Sequence, residues 1–191
     1  MHELILRNVS RHVALNGEEE QYFRSILKIR TLRKRQYLLQ AGDVCHFETF
    51  VNRGCLRAFT TNNKGEEHTA MFAIEDWWIS DLFSFLTGTP ASQHIEALEE
   101  TEVTMIEKND LENLYLKVPK FDRFMRIILQ NAFVANQQRV LASISQTAEE
   151  KYLNFIKKYP AMEQRIPQHQ IASYLGITPE TISRIRKNQM R

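Results

Sequence analysis

The sequence predicts an α+β fold: an antiparallel, jelly-roll-like β-roll with flanking helices, then a long dimerisation helix, then a helix-turn-helix. Three observations predict it. Between about residues 30 and 108, short runs rich in Val, Phe, Thr and Leu alternate with turn signals, the pattern of a compact antiparallel roll. From Pro119 to about Ser145, the apolar positions Phe124, Ile127/Ile128, Val134 and Leu141 recur at roughly heptad spacing. In Gln168–Arg191, two short helical patterns flank Gly176.

The length of 191 residues suits one large or two small domains. The pattern divides into a roll over 1–118, a helix and hinge over 119–146, and a helix-turn-helix over 147–191. Residues 17–29 read as an amphipathic helix with acids in the first turn and Asn16 as its cap. Strands are expected at Tyr37–Gln40, Phe47–Val51, Leu56–Thr61, Glu67–Ala73, His94–Leu98 and Val103–Glu107. Ala41-Gly42-Asp43, Arg53-Gly54 and Asn62-Asn63-Lys64-Gly65 mark turns between them. A roll of this size has room for one small ligand.

A helical pattern returns after Asp110, and Pro119 opens the long helix. About 27 residues of helix span about 40 Å, more than one small domain needs. Asn131 and Gln138 fall within or beside its apolar seam. A parallel two-stranded coiled coil with polar register-setting residues accounts for both features, and so predicts a homodimer. The alternative is a helix packed on its own β domain. Thr147-Ala148-Glu149-Glu150 reads as a capping box that starts a new helix.

The last two helices fit a DNA reader position by position. Ile171, Ala172 and Leu175 share a face, and the small Ala172 lets the next helix approach. Gly176 sits where the turn needs a positive φ. Thr178 is suited to N-capping, and Pro179 to the first helical position. Ile182 and Ile185 supply the buried side, which leaves Glu180, Thr181, Ser183, Arg184 and Lys187 outward. Arg184 suits guanine, Glu180 a cytosine amine, and Thr181 and Lys187 phosphate. The alternative is an ordinary αα-hairpin with a solvated charged face. Against it, residues 151–191 hold eight Lys/Arg and two acids, while the whole chain nets only +2. The basic charge is gathered where phosphates would be met.

Other classes find little support. No apolar run reaches the length of a membrane span, and the N-terminus lacks a signal-peptide core, so a cytoplasmic location is expected. Cys45 and Cys55 suit a reducing compartment and are expected to be buried, inert thiols. No Ser-His-Asp, Cys-His or paired-carboxylate spacing points to catalysis; no catalytic residues, metal or cofactor are expected. His46-x-Glu48 and Glu66-Glu67-His68 read as solvated strand-face residues rather than a metal site. Trp77, Trp78, Phe83 and Phe85 read as core or dimer packing rather than a ligand pocket.

A β domain, a long helix after a proline, a hinge and the motif YLGITPETISR over Tyr174–Arg184 resemble the Crp/Fnr family of bacterial transcription regulators over nearly the whole chain. Leu38–Asp43 is similar to the family's early strand and turn, and Val51-x-x-Gly54-x-Leu56-Arg57 to the next hairpin. The Fnr branch carries Glu-x-x-Ser-Arg on its recognition helix, which Glu180, Ser183 and Arg184 match. The resemblance implies that these three read bases, and that Gln168, His169 and Thr181 contact the DNA backbone. It implies a palindromic double-stranded DNA site, a homodimer, RNA polymerase as a further partner and an unknown small-molecule effector, with no membrane role.

The sequence departs from the family at the cyclic-nucleotide cassette. Where cyclic-nucleotide binders carry Gly-Glu-Leu and then Arg-Ser or Arg-Ala, this chain has Ser80-Asp81-Leu82 and Ala91-Ser92. Asn136-Gln137 stands in place of the Thr-Ser pair that meets the purine. These seven residues mark the expected effector pocket, one that lacks the arginine for a cyclic phosphate, so cAMP is not expected to bind. The leading expectation is a sequence-specific regulator that does not answer to cAMP. The competing one is a ligand- or metal-binding roll, or an interaction protein, with a degenerate helix-turn-helix.

Overall fold

The computed structural model describes residues 2–189. In chain order its elements are α1 (Glu3–Ser10), α2 (Gly17–Ser25), β1 (Lys28–Leu32), β2 (Tyr37–Leu39), β3 (Phe47–Arg53), β4 (Leu56–Thr61), β5 (Glu67–Ala73), β6 (Trp78–Ile79), α3 (Leu82–Thr87), β7 (His94–Ala97), β8 (Thr101–Glu107) and α4 (Lys108–Lys117). The order continues with α5 (Lys120–Ser145), α6 (Ala148–Lys158), α7 (Pro160–Arg165), α8 (Gln168–Leu175) and α9 (Pro179–Gln189). Two four-stranded sheets form, ordered β1-β8-β3-β6 and β2-β7-β4-β5. The α+β architecture is the one expected.

Alternation along β3 sorts its side chains between two cores. Val51 joins Leu32, Leu56, Ile79, Ile95, Val103 and Met105 in one apolar cluster. Phe50, one residue away, joins a second with Ile5, Val9, Phe23, Leu114, Phe121 and Phe124 from the helices. Glu48 shares the Phe50 side by the same alternation, and it is buried, not solvated as its strand-face pattern suggested. Between β3 and β4, Gly54 takes φ +102°, and a Cβ there would lie 2.4 Å from Thr101 Oγ1.

Three parts of the roll depart from expectation. The helix expected over 17–29 has its Asn16/Glu19 capping box but ends at Ser25. Lys28 and Ile29 instead pair with Met105 and Thr104 in an antiparallel ladder, so long-range pairing overrides the local helical period. Helix α1 was not anticipated; it buries Ile5, Asn8 and Val9. Asn8 and Arg11 hold Asp76, which has a positive φ, through side-chain bonds. Among the aromatics, Phe85 is buried and Trp78 packs on Phe50 and Phe124. Phe83 stands 65% exposed and so contributes nothing to the core. Cys45 and Cys55 are buried and not disulfide-bonded.

The chain forms two compact units, residues 2–60 with 71–130, and residues 61–70 with 131–189; the division falls inside α5. In the second unit, Thr147 and Glu150 make the reciprocal capping box expected at the start of α6. Tyr152, Phe155, Met162, Ile166, Ile171, Ala172, Ile182 and Ile185 are buried. The Ser173 hydroxyl accepts from Thr69 N–H at 2.9 Å and donates to Glu67 O at 3.0 Å. It thus fixes α8 to the 61–70 segment. Nearly every residue of α5 from Leu129 onward is exposed, including Phe133, Val134, Val140, Leu141 and Ile144.

Candidate functional site

The turn between α8 and α9 is built by its backbone. Gly176 has φ +66°, its N–H donates to Ser173 O, and the Ile177 N–H donates to Ala172 O. That pair of bonds closes a helix through a left-handed residue, where glycine has no Cβ to clash. Thr178 then caps α9, its hydroxyl accepting from Thr181 N–H at 3.2 Å. Ile182 and Ile185 are buried, as are Ile171 and Ala172 of α8, so α9 can present only its other face.

That other face carries the expected residues. Glu180, Ser183, Arg184 and Lys187 are exposed, and Thr181 is half-buried. Their spacing of three and four residues puts Glu180, Ser183, Arg184 and Lys187 on one side of the helix. Hydrogen bonds from its own backbone N–H and from Thr178 hold the Glu180 carboxyl below its usual range, so it is an acceptor at neutral pH. Tyr152 donates to Glu163 at 2.7 Å, and Arg186 lies 3.9 Å from the same carboxylate, tying α9 to α6 and α7. Burial, with that bond to Glu163, pushes the Tyr152 hydroxyl up to about 12.

At the start of α8, His169 is exposed and Gln168 half-buried. The Gln168 amide nitrogen donates to Pro179 O at 2.9 Å and to Ser183 Oγ at 2.7 Å. Sequence reasoning missed this link between two residues it had assigned separate roles. Arg191, counted with the tail's basic charge, lies outside the described residues.

The cassette around α3 has a different character. Asp81 is buried and spends both carboxylate oxygens on backbone. Oδ1 accepts from Ser84 N–H at 3.0 Å, capping α3, and Oδ2 accepts from Ser92 N–H at 3.3 Å. The Ala91 N–H donates to Asp43 O at 2.8 Å. Ser80 donates to Glu48 Oε1 at 3.0 Å, and Leu82 is partly exposed. Burial pushes the Glu48 carboxyl up to about 7, against the smaller opposing effect of the Ser80 bond. Asp81 thus joins the Ser80–Leu82 segment to Ala91-Ser92, and of these five only Ser80 lines the cavity within the roll. Asn136 and Gln137 lie exposed on the second unit's part of α5, where Arg139 donates to Asn136 Oδ1 at 3.3 Å.

A cavity of about 280 Å³ opens within the roll, its walls including Leu39, Val44, Ile79, Ile95 and Met105, with Arg30, Asp43, His46 and Ser80 among its polar groups. Among the described residues, no His/Cys/Asp/Glu group of three or more could hold a metal ion. Asn62 engages both Glu66 and His68. No helix among them is long and apolar enough to cross a membrane.

Comparison with known proteins adds an independent line. Residues 29–117 match the model of the cyclic nucleotide-binding domain. The chain is 28% identical over 188 residues to the transcriptional activator protein Anr of Pseudomonas protegens, covering 91% of this chain and 75% of that one. It is 26% identical over 182 residues to the fumarate and nitrate reduction regulatory protein of Vibrio cholerae, covering 88% and 71%. Among solved structures, FixK2 from Bradyrhizobium japonicum superposes with a TM-score of 0.74 at 18% identity, covering 86% of this chain and 85% of that one. The c-di-GMP-responsive global regulator CLP of Xanthomonas campestris superposes with a TM-score of 0.72 at 12% identity, covering 92% of each. These two structures share the fold.

Proposed function

We propose that this chain, which belongs to the Crp/Fnr family of transcription regulators, is a homodimeric, sequence-specific DNA-binding regulator whose roll does not answer to cAMP. The observation that carries the reading is the outer face of α9. It presents an acceptor carboxylate at Glu180, a hydroxyl at Ser183 and a guanidinium at Arg184, on a helix pinned from behind by Ile182 and Ile185. Arg184 matches the O6 and N7 acceptors of guanine, and Glu180 the amino donor of cytosine. Thr181, Lys187 and His169 flank them as phosphate contacts that set the register.

The apolar face of α5 supports pairing with a second copy, which would present two reading helices to a palindrome. The buried Asp81 carboxylate supports the exclusion of a cyclic phosphate, because it already takes the backbone N–H groups of Ser84 and Ser92. A small effector of other chemistry would enter the roll's cavity.

The test is selection of duplexes from a randomised library, followed by titration of the selected duplex at several salt concentrations. Affinity should fall steeply and linearly in log–log form as salt rises. Arg184→Ala should weaken the selected duplex by about 1–3 kcal/mol and relax its sequence preference. If Arg184→Ala leaves both unchanged, α9 is not the reading helix.

A further inference from the structure

We propose that Gln168 is a positioning residue for base recognition: its amide sets the Ser183 hydroxyl so that the proton faces the DNA. This rests on the reading of α9 as the recognition helix. The orientation of the Gln168 amide follows from its partners. Its nitrogen lies 2.9 Å from Pro179 O, which can only accept, so the NH2 end must face that carbonyl. The second hydrogen of the same NH2 then meets Ser183 Oγ at 2.7 Å, and the hydroxyl accepts.

Pro179 O is also the acceptor that a helical serine at position 183 would choose for its own proton. A helical serine commonly donates to the carbonyl four residues back, which for Ser183 is that of Pro179. A carbonyl has two lone pairs. The helical bond from Ser183 N–H takes one, and the Gln168 amide takes the other. The route by which Ser183 would bury its proton in its own helix is closed, and the exposed hydroxyl points a donor outward. Ser183 therefore selects a base edge with an acceptor, such as guanine O6 or N7 or thymine O4, over one offering an amino donor.

Opposite substitutions separate this from a phosphate contact or a packing role. Gln168→Met removes the donor and frees the Pro179 carbonyl, so the Ser183 proton divides between that carbonyl and the DNA. Gln168→Glu replaces the donor by an acceptor, draws the Ser183 proton inward and turns lone pairs toward DNA. The probe is the duplex that the wild-type chain selects from a randomised library, together with all its single base-pair variants, read at one salt concentration. Ser183→Ala identifies the base pair that Ser183 reads. There the wild type should prefer the acceptor-bearing edge by about three- to tenfold, the range of one hydrogen bond. Gln168→Met should lose that preference and Gln168→Glu should reverse it. Discrimination at the other base pairs and the melting temperature should hold. A Gln168→Met chain that keeps the full preference overturns the proposal, and so does one that loses affinity equally for every duplex. A wild-type chain that selects no sequence overturns the reader itself, and this proposal with it; a wild type that selects a sequence while Gln168 variants match it overturns the proposal alone.

Discussion

Leu141 on α5 offers the sharpest test of pairing between copies. It is 65% exposed, and Ile144, one turn further along the helix, is 79% exposed. Complete burial of a leucine side chain contributes about 1.5–3 kcal/mol, so at this exposure about 1–2 kcal/mol remains to be gained on association. Two-fold pairing counts the residue twice, and Leu141→Ala should therefore cost the dimer about 2–4 kcal/mol. In dissociation constant that is about thirtyfold to nearly a thousandfold. The isolated protomer should lose little, because most of the side chain already meets solvent and alanine is the better helix former. Sedimentation equilibrium over a dilution series measures the constant directly. Leu116→Ala is the control, since Leu116 is 81% exposed but belongs to α4. The reasoning fails if Leu141→Ala shifts the constant by less than about threefold, well under one kcal/mol, or if Leu116→Ala shifts it as much.

Glu48 makes stability depend on pH. Its folded-state carboxyl is raised from 4.5 to about 7 by burial, so between those values the folded chain keeps a proton that the unfolded chain releases. Stability should fall by about 3 kcal/mol as pH rises through that window; Glu48→Gln, measured by denaturant melts, should match the wild type near pH 4 and exceed it above pH 7. Gly54→Ala should destabilise the roll by about 2–4 kcal/mol, because a Cβ at φ +102° meets Thr101 and the Glu100 carbonyl at 2.4–2.7 Å; an unchanged thermal midpoint would show that the hairpin can shift away. Isothermal titration with cAMP should give no binding at micromolar concentrations, and a micromolar isotherm would show that the Asp81 bonds yield to a phosphate.

The helices of the second unit were legible because their signals are local. A capping box, a glycine after an apolar periodicity and a Thr-Pro start each decide a backbone conformation within a few residues, and α6, α8 and α9 follow them. The long helix was legible for the same reason, since proline opens it and its apolar residues repeat. The first strand was not. Lys28 and Ile29 continue a helical pattern in sequence, and only the pairing of Lys28–Leu32 with residues 101–105 draws them into a strand. Glu48 was misjudged on similar grounds. Alternation places it on a definite face of β3, but α4 and α5 bring the apolar groups that cover that face, so its burial depends on elements more than 50 residues away. The residues on the outer face of α9 could be listed from their spacing, whereas the bond from Gln168 to Ser183 spans a turn and depends on side-chain rotamers that no spacing reveals.

The bonds of Asp81 weigh against a cyclic phosphate at the cassette. A cyclic-nucleotide site needs backbone N–H groups with no internal partner, because an anion bound there has to replace its lost hydration. Here the N–H groups of Ser84 and Ser92 are bonded to a carboxylate of the same chain, and that of Ala91 to Asp43 O. A phosphate brought to the same groups would meet the Asp81 charge at a distance on the order of 4 Å, where repulsion at a partly buried site is about 4 kcal/mol. No arginine stands at position 91 to offset it. The internal carboxylate does for α3 and the segment before β7 what a bound anion would do, and does it without a ligand. The match to a cyclic nucleotide-binding domain describes the roll and its sheets, a fold does not by itself carry its ligand, and the bonds of Asp81 argue against a cyclic phosphate here.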